Sequence, residues 1–401
     1  MLENTTYEER LHLLVREVFN IDEIIWGDAK QDYAVRYRGI LRMDSIPAYT
    51  LLAQSLRPLG YTPLFRIEDG KQTILLKKGI IEVRPSRVWI NLILFALTVA
   101  SVLVTGALNS YDGPTDGGEL QVIQYVLGHL ERGIPFTLSL MAILLAHEFG
   151  HYLIARRNQT AVSLPYYLPF PMSLFGTMGA FIQLKEPPKN KRTLLEIGLA
   201  GPLCGLIVAL PVLWYGLTLS QITPLAQLTA GQGLILEGNS ILYLGMKFLA
   251  FGQLLPAPAS YGAMTPLLYW MRYFFTGQPI PLGGLDVQLH SIAWAGWAGL
   301  LVTALNLVPV GQLDGGHILY ALFGRKASRL FPFILAILIL LGFFWAGWWI
   351  WAFLLFLLGR VNAEPLDQIT GLDPRHRFLA AAGVVIFLLV FVPVPLIVLG
   401  G

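Results

Sequence analysis

His147-Glu148-Phe149-Gly150-His151 lies inside the apolar run Ile134 to Ile154 and reads H-E-x-x-H. On a helix, positions i and i+4 share a face, so both imidazoles can reach one metal ion. Glu148 stands beside the first imidazole, placed to take a proton from a water polarised by that ion. Three ionisable residues in a membrane-length apolar segment are costly to insert, and such residues mark function by default. The competing reading is a pair of structural histidines with a surface glutamate. The apolar setting argues against it.

Composition describes the surroundings. The 401 residues are 55% hydrophobic and only 13% charged, with mean hydropathy +0.60. A soluble domain carries about 25% charged residues, so the expectation is a polytopic membrane protein held in a lipid bilayer. The net charge of +3 is too small to argue for nucleic acid, and no nucleic-acid partner is expected. The single cysteine, Cys204, excludes an intrachain disulfide and reads as a small packing residue.

The beginning of the chain carries no recognisable targeting signal. Glu8, Glu9, Glu17, Asp22 and Glu23 crowd it, and it lacks the apolar core of a secretory signal. Residues 1–84 read as a small soluble α+β domain. Helical spacing runs from Tyr7 to Val18 and from Ile46 to Leu56, with Pro47 tolerable in a first turn. Tyr33 to Gly39 alternates like a strand. Thr62 to Ile67 and Thr73 to Lys77 flank the turn Glu68-Asp-Gly-Lys71 as a hairpin. His12 is alone there and reads as a surface residue.

Residues 85–401 hold the spans, and the predicted fold class is all-α and polytopic with one re-entrant β segment. Val88 to Leu108, Ile134 to Ile154 and Leu194 to Leu219 are long enough to cross. Ser291 to Val308 is a further span, and Phe378 to Leu399 is the last. Leu330 to Leu358 is too long for one crossing and reads as a tight helical hairpin turning at Gly342 to Gly347. Ile241 to Phe275 is apolar in two short halves, which predicts an interfacial or re-entrant hairpin. Arg84 and Arg87 before the first span, and Arg156-Arg157 after the second, place residues 1–87 and the His pair toward the cytoplasmic side. The predicted location is a prokaryotic cytoplasmic membrane.

A catalytic zinc commonly takes three protein donors and leaves a fourth position open. The extended pattern H-E-x-x-H-x-x-G-x-x-H fails, because Ile154 stands where glycine is needed. Asp314, just past an apolar span and followed by Gly315-Gly316, is the best third donor; His317 is the runner-up. Asp-Gly is also a common turn pair, so a plain turn is the competing reading. If both donor sets lie at the C-terminal ends of their spans, Ile134 to Ile154 and Ser291 to Val308 run parallel, and residues 220–290 cross an even number of times or not at all. Gly176 to Leu184 alternates between Pro-rich flanks, which predicts a strand or hairpin beside the metal.

On these pieces the chain resembles the site-2 protease family of intramembrane zinc metalloproteases. The matching stretches are His147-Glu-Phe-Gly-His151, Gly176-Thr-Met-Gly-Ala-Phe181 and Asn306-Leu-Val-Pro-Val-Gly-Gln-Leu-Asp-Gly-Gly-His317. They cover a catalytic core of about residues 130–325 and are most similar to the branch of cyanobacteria and chloroplasts, which has no PDZ domain. The resemblance implies one zinc ion held by His147, His151 and Asp314, with Glu148 as general base and Asn306 assisting near the scissile bond. It implies a transmembrane protein as substrate. One departure is mild: Gln312-Leu313 precedes Asp314 where the family often has proline. A transporter or metal-handling protein could also bury His and Asp in a membrane, but would not need a glutamate next to the first histidine.

Overall fold

The computed structural model describes residues 7–27, 32–83, 85–113, 118–225, 234–359 and 363–399. Arg84, used above to orient the first span, lies outside them. The N-terminal part runs α1 (Tyr7–Val18), β1 (Phe19–Trp26), β2 (Val35–Leu41), α2 (Ser45–Leu56), β3 (Tyr61–Glu68) and β4 (Lys71–Lys78). The strands form one antiparallel sheet in the order β1-β2-β4-β3. Alternation turns Val35, Tyr37, Ile74 and Leu76 to one face, where they meet Leu11, Val15, Leu52 and Leu56 of the two helices. The β3–β4 turn is made by Asp69 and Gly70, both at positive φ, as a two-residue hairpin demands. β1 escaped the sequence reading because its register shifts between Ile21 and Glu23, which breaks the period of two. His12 is half-buried, and its Nδ1 lies 2.9 Å from the Tyr37 hydroxyl, so it is no free surface residue.

A strap at residues 363–370 fastens this sheet to the helical part. Phe65 N–H donates to the Leu366 carbonyl and Gln368 N–H to the Phe65 carbonyl, both at 3.0 Å. On its other side the strap pairs with the segment entering the long helix, through Leu366 N–H to Pro188 O at 2.9 Å and Asp367 N–H to Lys189 O at 2.8 Å. Arg66, buried, donates to the carbonyls of Pro365 and Leu366. Leu366 itself sits in the core of the sheet domain.

The helical part follows as α3 (Val88–Asn109), a short α4 (Glu119–Gly128), α5 (Ile134–Arg157), the hairpin β5 (Tyr166–Pro169) and β6 (Thr177–Phe181), and α6 (Lys191–Thr218). The helices α3, α5 and α6 are long and apolar enough to cross a membrane. Then come β7 (Gln221–Pro224), β8 (Leu234–Glu237), α7 (Ile241–Phe251), α8 (Pro266–Thr276), β9 (Leu285–Gln288) and α9 (Ser291–Asn306). The chain closes with α10 (Asp314–Phe323), the helical hairpin α11 (Phe331–Leu341) and α12 (Gly347–Leu358), α13 (Pro374–Val390) and β10 (Leu396–Leu399).

α5, α6 and α9 make the core, packed through Leu140, Ile143, Leu144, Leu199, Leu213 and Trp297. Gly299 sets the approach of α9: a Cβ there would stand 2.9 Å from Ile143 of α5 and 3.3 Å from Ala209 of α6. Farther along, Asn306 meets His147. Contacts 143 to 299 and 147 to 306 rise together, so α5 and α9 run parallel, as the donor argument required. α6 runs against both.

Two expectations are corrected. The last predicted span, Phe378 to Leu399, is helical only to Val390. Pro393 and Pro395 stop it, and Leu396–Leu399 turns into β10, which pairs with β8. The strand content also exceeds one re-entrant segment, because β7 pairs with β9 as well. That pair, together with the His290 N–H bond to Ser220 Oγ at 2.9 Å, brings the start and end of residues 220–290 to the same place, which fits an even number of crossings or none. Lys247 of α7 is fully buried in this region. Its ammonium lies 3.6 Å from a Glu237 carboxylate oxygen and 4.4 Å from the centre of the Tyr243 ring. Burial pushes the Glu237 carboxyl up to about 7.

Candidate metal centre

α5 presents His147 and His151 to the junction of α6 and α10, both almost wholly buried. His151 Nδ1 lies 2.7 Å from the Ile197 carbonyl of α6. A carbonyl only accepts, so Nδ1 carries the proton and Nε2 keeps its lone pair for a metal. Asp314 opens α10. Its two glycines let that helix start against the preceding turn: a Cβ on Gly315 would stand 2.7 Å from the Val308 carbonyl, and one on Gly316 the same distance from that of Val310.

The Asp314 Oδ2 atom is 3.4 Å from His147 Nε2 and 3.3 Å from His151 Nε2. Donors placed about 2.0–2.1 Å from one tetrahedral zinc are about 3.3–3.4 Å apart, so the two distances from Asp314 match edges of such a site, and all three donor atoms lie within 4.8 Å of one another. Among the described residues, His147, His151 and Asp314 form the group whose donor atoms come together. His317, the runner-up, lines the same cavity without joining that group.

Glu148 is 3% exposed, and its Oε2 has no hydrogen-bond partner. A buried carboxylate oxygen left unpaired is costly, about 1–3 kcal/mol or more. It lines a cavity of about 160 Å³ shared with the three donors, Asn306, and Ala180 to Ile182 at the end of β6. The Asn306 amide nitrogen lies 3.3 Å from His147 Nε2. So each residue singled out in the sequence reaches one cavity, and β6 forms part of its wall, paired on its other side with β5 through Tyr166–Phe181 and Tyr167–Ala180. What the reading missed is α6. Gly201 and Gly205 face the rings of His151 and His147. Their spacing, G-x-x-x-G, is a visible signal for close helix approach.

His147 and His151 on one helix and Asp314 at the start of another make a group that could hold a metal ion, the arrangement a zinc metalloprotease needs. The chain belongs to peptidase family M50, whose sequence profile matches residues 135–347. It is 31% identical to "Probable zinc metalloprotease EGY1, chloroplastic" of Oryza sativa subsp. japonica over 340 residues, 80% of this chain and 53% of that protein. The Arabidopsis thaliana protein of that name is 28% identical, over 80% of this chain and 56% of its own length. The Arabidopsis protein "Probable zinc metalloprotease EGY2, chloroplastic" is 29% identical over 66% and 43%. The chain thus spans about half the length of the curated relatives it matches. No solved structure matches it. The transporter reading gains nothing from these matches. The expected prokaryotic cytoplasmic membrane is overturned: the relatives are chloroplastic proteins, which points to a plastid membrane. The assignment of residues 1–87 to a cytoplasmic side falls with it. Arginine placement ranks the two faces of a membrane but does not say which membrane it is.

Proposed function

We propose that this chain is a zinc endopeptidase that cuts transmembrane segments of membrane-anchored proteins in a plastid membrane. One observation carries the reading. Glu148 holds an unpaired carboxylate oxygen against the three-donor cluster, inside a helix apolar enough to cross a bilayer. His147, His151 and Asp314 would hold the zinc, which when bound supplies Lewis acidity that eases ionisation of the attacking water. Glu148 takes the proton from that water and delivers it to the leaving amine. Asn306 donates its amide N–H to the scissile carbonyl oxygen as negative charge builds there. A substrate helix hides its peptide bonds, so it must open first. β6 offers backbone partners to the extended segment, and Gly, Asn or Pro in the substrate helix eases opening.

The geometry also supports a side for the cut. The donors lie in the C-terminal half of α5, near Arg156 and Arg157, and Ile197 near the start of α6 faces His151. The strap holds the sheet domain at that same start of α6. Cleavage near this end releases a fragment on the face that carries the sheet domain. The test uses the full chain in vesicles with a transmembrane reporter, and mass spectrometry to locate the cut. Glu148→Gln is expected to keep its zinc and lose at least about 100-fold in rate, the lower range for a general acid–base. Undiminished cleavage, or a cut in the half of the reporter away from the sheet domain, overturns the proposal.

A further inference from the structure

A second cavity of about 250 Å³ lies beside the metal pocket. Its walls include Leu140, Leu144, Phe175, Leu301, Leu305 and Trp351, and Met178 to Ala180 of β6 run along it. Glu148, Asn306 and Ala180 line both cavities. The two spaces therefore share a partition made of the residues nearest the chemistry. Thr177, the one hydroxyl in the lining, is already bonded to the Leu168 carbonyl at 2.8 Å.

We propose that this second cavity receives the apolar side chain of the substrate residue beside the scissile bond, and so selects the cutting site. The inference rests on the protease reading above. An extended peptide sends successive side chains to opposite faces. A peptide laid along β6 with its carbonyl at Asn306 therefore turns one neighbouring side chain toward the metal-site opening and the next away from it. The cavity adjoins that line through Glu148 and Asn306. Apart from Glu148 and Asn306 at the partition, its walls are largely apolar, so a lysine or aspartate side chain held deep in it would lose hydration without compensation. Its size suits a large apolar group: an engineered cavity of about 150 Å³ with leucine, isoleucine and phenylalanine walls holds a benzene molecule. Leucine, methionine and phenylalanine fit, whereas alanine leaves the space empty.

Two variants change the cavity in opposite senses. Val302→Phe, on the half-buried face of α9 that lines it, narrows it; Trp351→Ala, from α12, widens it. The experiment takes the full chain in vesicles, with reporters carrying Ala, Leu, Phe or Trp at each position flanking the cut located in the wild type. Wild type is expected to favour Leu and Phe over Ala at one of those positions by at least about 10-fold in kcat/KM, the low end for missing methylenes in an apolar pocket. Val302→Phe shifts that ratio toward Ala by about 10-fold, and Trp351→Ala shifts it toward Trp, with zinc content unchanged in both. An equal loss on every reporter, the mark of a general structural defect, overturns the inference. So does a rate that follows vesicle acyl length and ignores the reporter residue, which assigns the cavity to a lipid chain. A wild type that cuts no reporter refutes the protease reading itself, and the inference with it.

Discussion

Gly201→Ala tests the metal centre through a residue that binds nothing. A Cβ built on Gly201 falls 2.5 Å from His151 Cε1 and closer still to Nε2, the atom that faces Asp314. Ordinary contact begins at 3.4 Å, so the methyl and the ring must part by at least about 0.9 Å. The ring cannot swing freely, because its Nδ1 is tied to the Ile197 carbonyl one turn earlier on the same helix. If α6 backs away instead, it takes that carbonyl with it. Zinc sites hold their donors to about 0.2 Å, so a shift several times larger removes His151 from the cage. Loss of a partner that merely orients a donor costs about 10–100-fold in metal affinity, and displacing the donor should cost at least about 100-fold. Competition with a graded series of chelators measures this on the purified protein. Gly245→Ala, whose Cβ would meet nothing within 4 Å, serves as the control. Wild-type zinc affinity in Gly201→Ala, with folding intact by circular dichroism, would refute His151 as a donor in this geometry.

Other outcomes follow from single contacts. Above about pH 7, where the Glu237 carboxyl is ionised, Lys247→Met leaves it buried without its cation, which should cost up to about 3–5 kcal/mol of stability in detergent, while Lys247→Met with Glu237→Gln recovers most of it. The Glu237 carboxyl, raised by burial and by the buried Asp286 carboxyl from 4.5 to about 7, gives a pH signature that it shares with Asp286, itself raised by burial. The folded state keeps a proton that the unfolded chain has released, so this stabilisation is full below about 4.5 and is lost as pH rises through about 7. Unfolding midpoints between pH 5 and 8 should fall more steeply in wild type than in the double variant, and equal slopes would count against the assignment. Proline at Phe181 or Ile182 should impair reporter cleavage far more than zinc binding, since it strips an N–H and fixes φ beside the metal cavity. Unchanged cleavage would show that β6 does not hold the substrate.

Much of the molecule was legible from local signals. His147 and His151 share a helix face because of spacing alone, and any helix there would bring them together. The strands β2, β3 and β4 and the helices α1 and α2 followed from periodicity, and the turn between α11 and α12 from an apolar run too long for one crossing with Gly342 to Gly347 at its centre. Asp314 stood out by its place after an apolar span and before two glycines. Signals failed where the pattern is short or broken. β7, β8, β9 and β10 are four residues each, too brief for alternation to register, and they exist because partners far apart in sequence present free edges.

What could be read from the chain alone was the inventory: side chains with metal-binding chemistry, a carboxyl group beside them, and apolar helices to bury them. Tertiary structure decided how that inventory is assembled. It brought an Asp314 carboxylate oxygen to 3.3 and 3.4 Å from the two imidazoles, while His317 stays outside the group whose donor atoms come together. It set the tautomer of His151 through a carbonyl 46 positions along the chain. It also opened a second cavity behind Glu148 from residues of α5, α9 and α12. Such facts depend on the packing distance between helices, which is fixed by glycines and by the shapes of facing side chains. That distance is a property of pairs of segments, and no single stretch of sequence contains it.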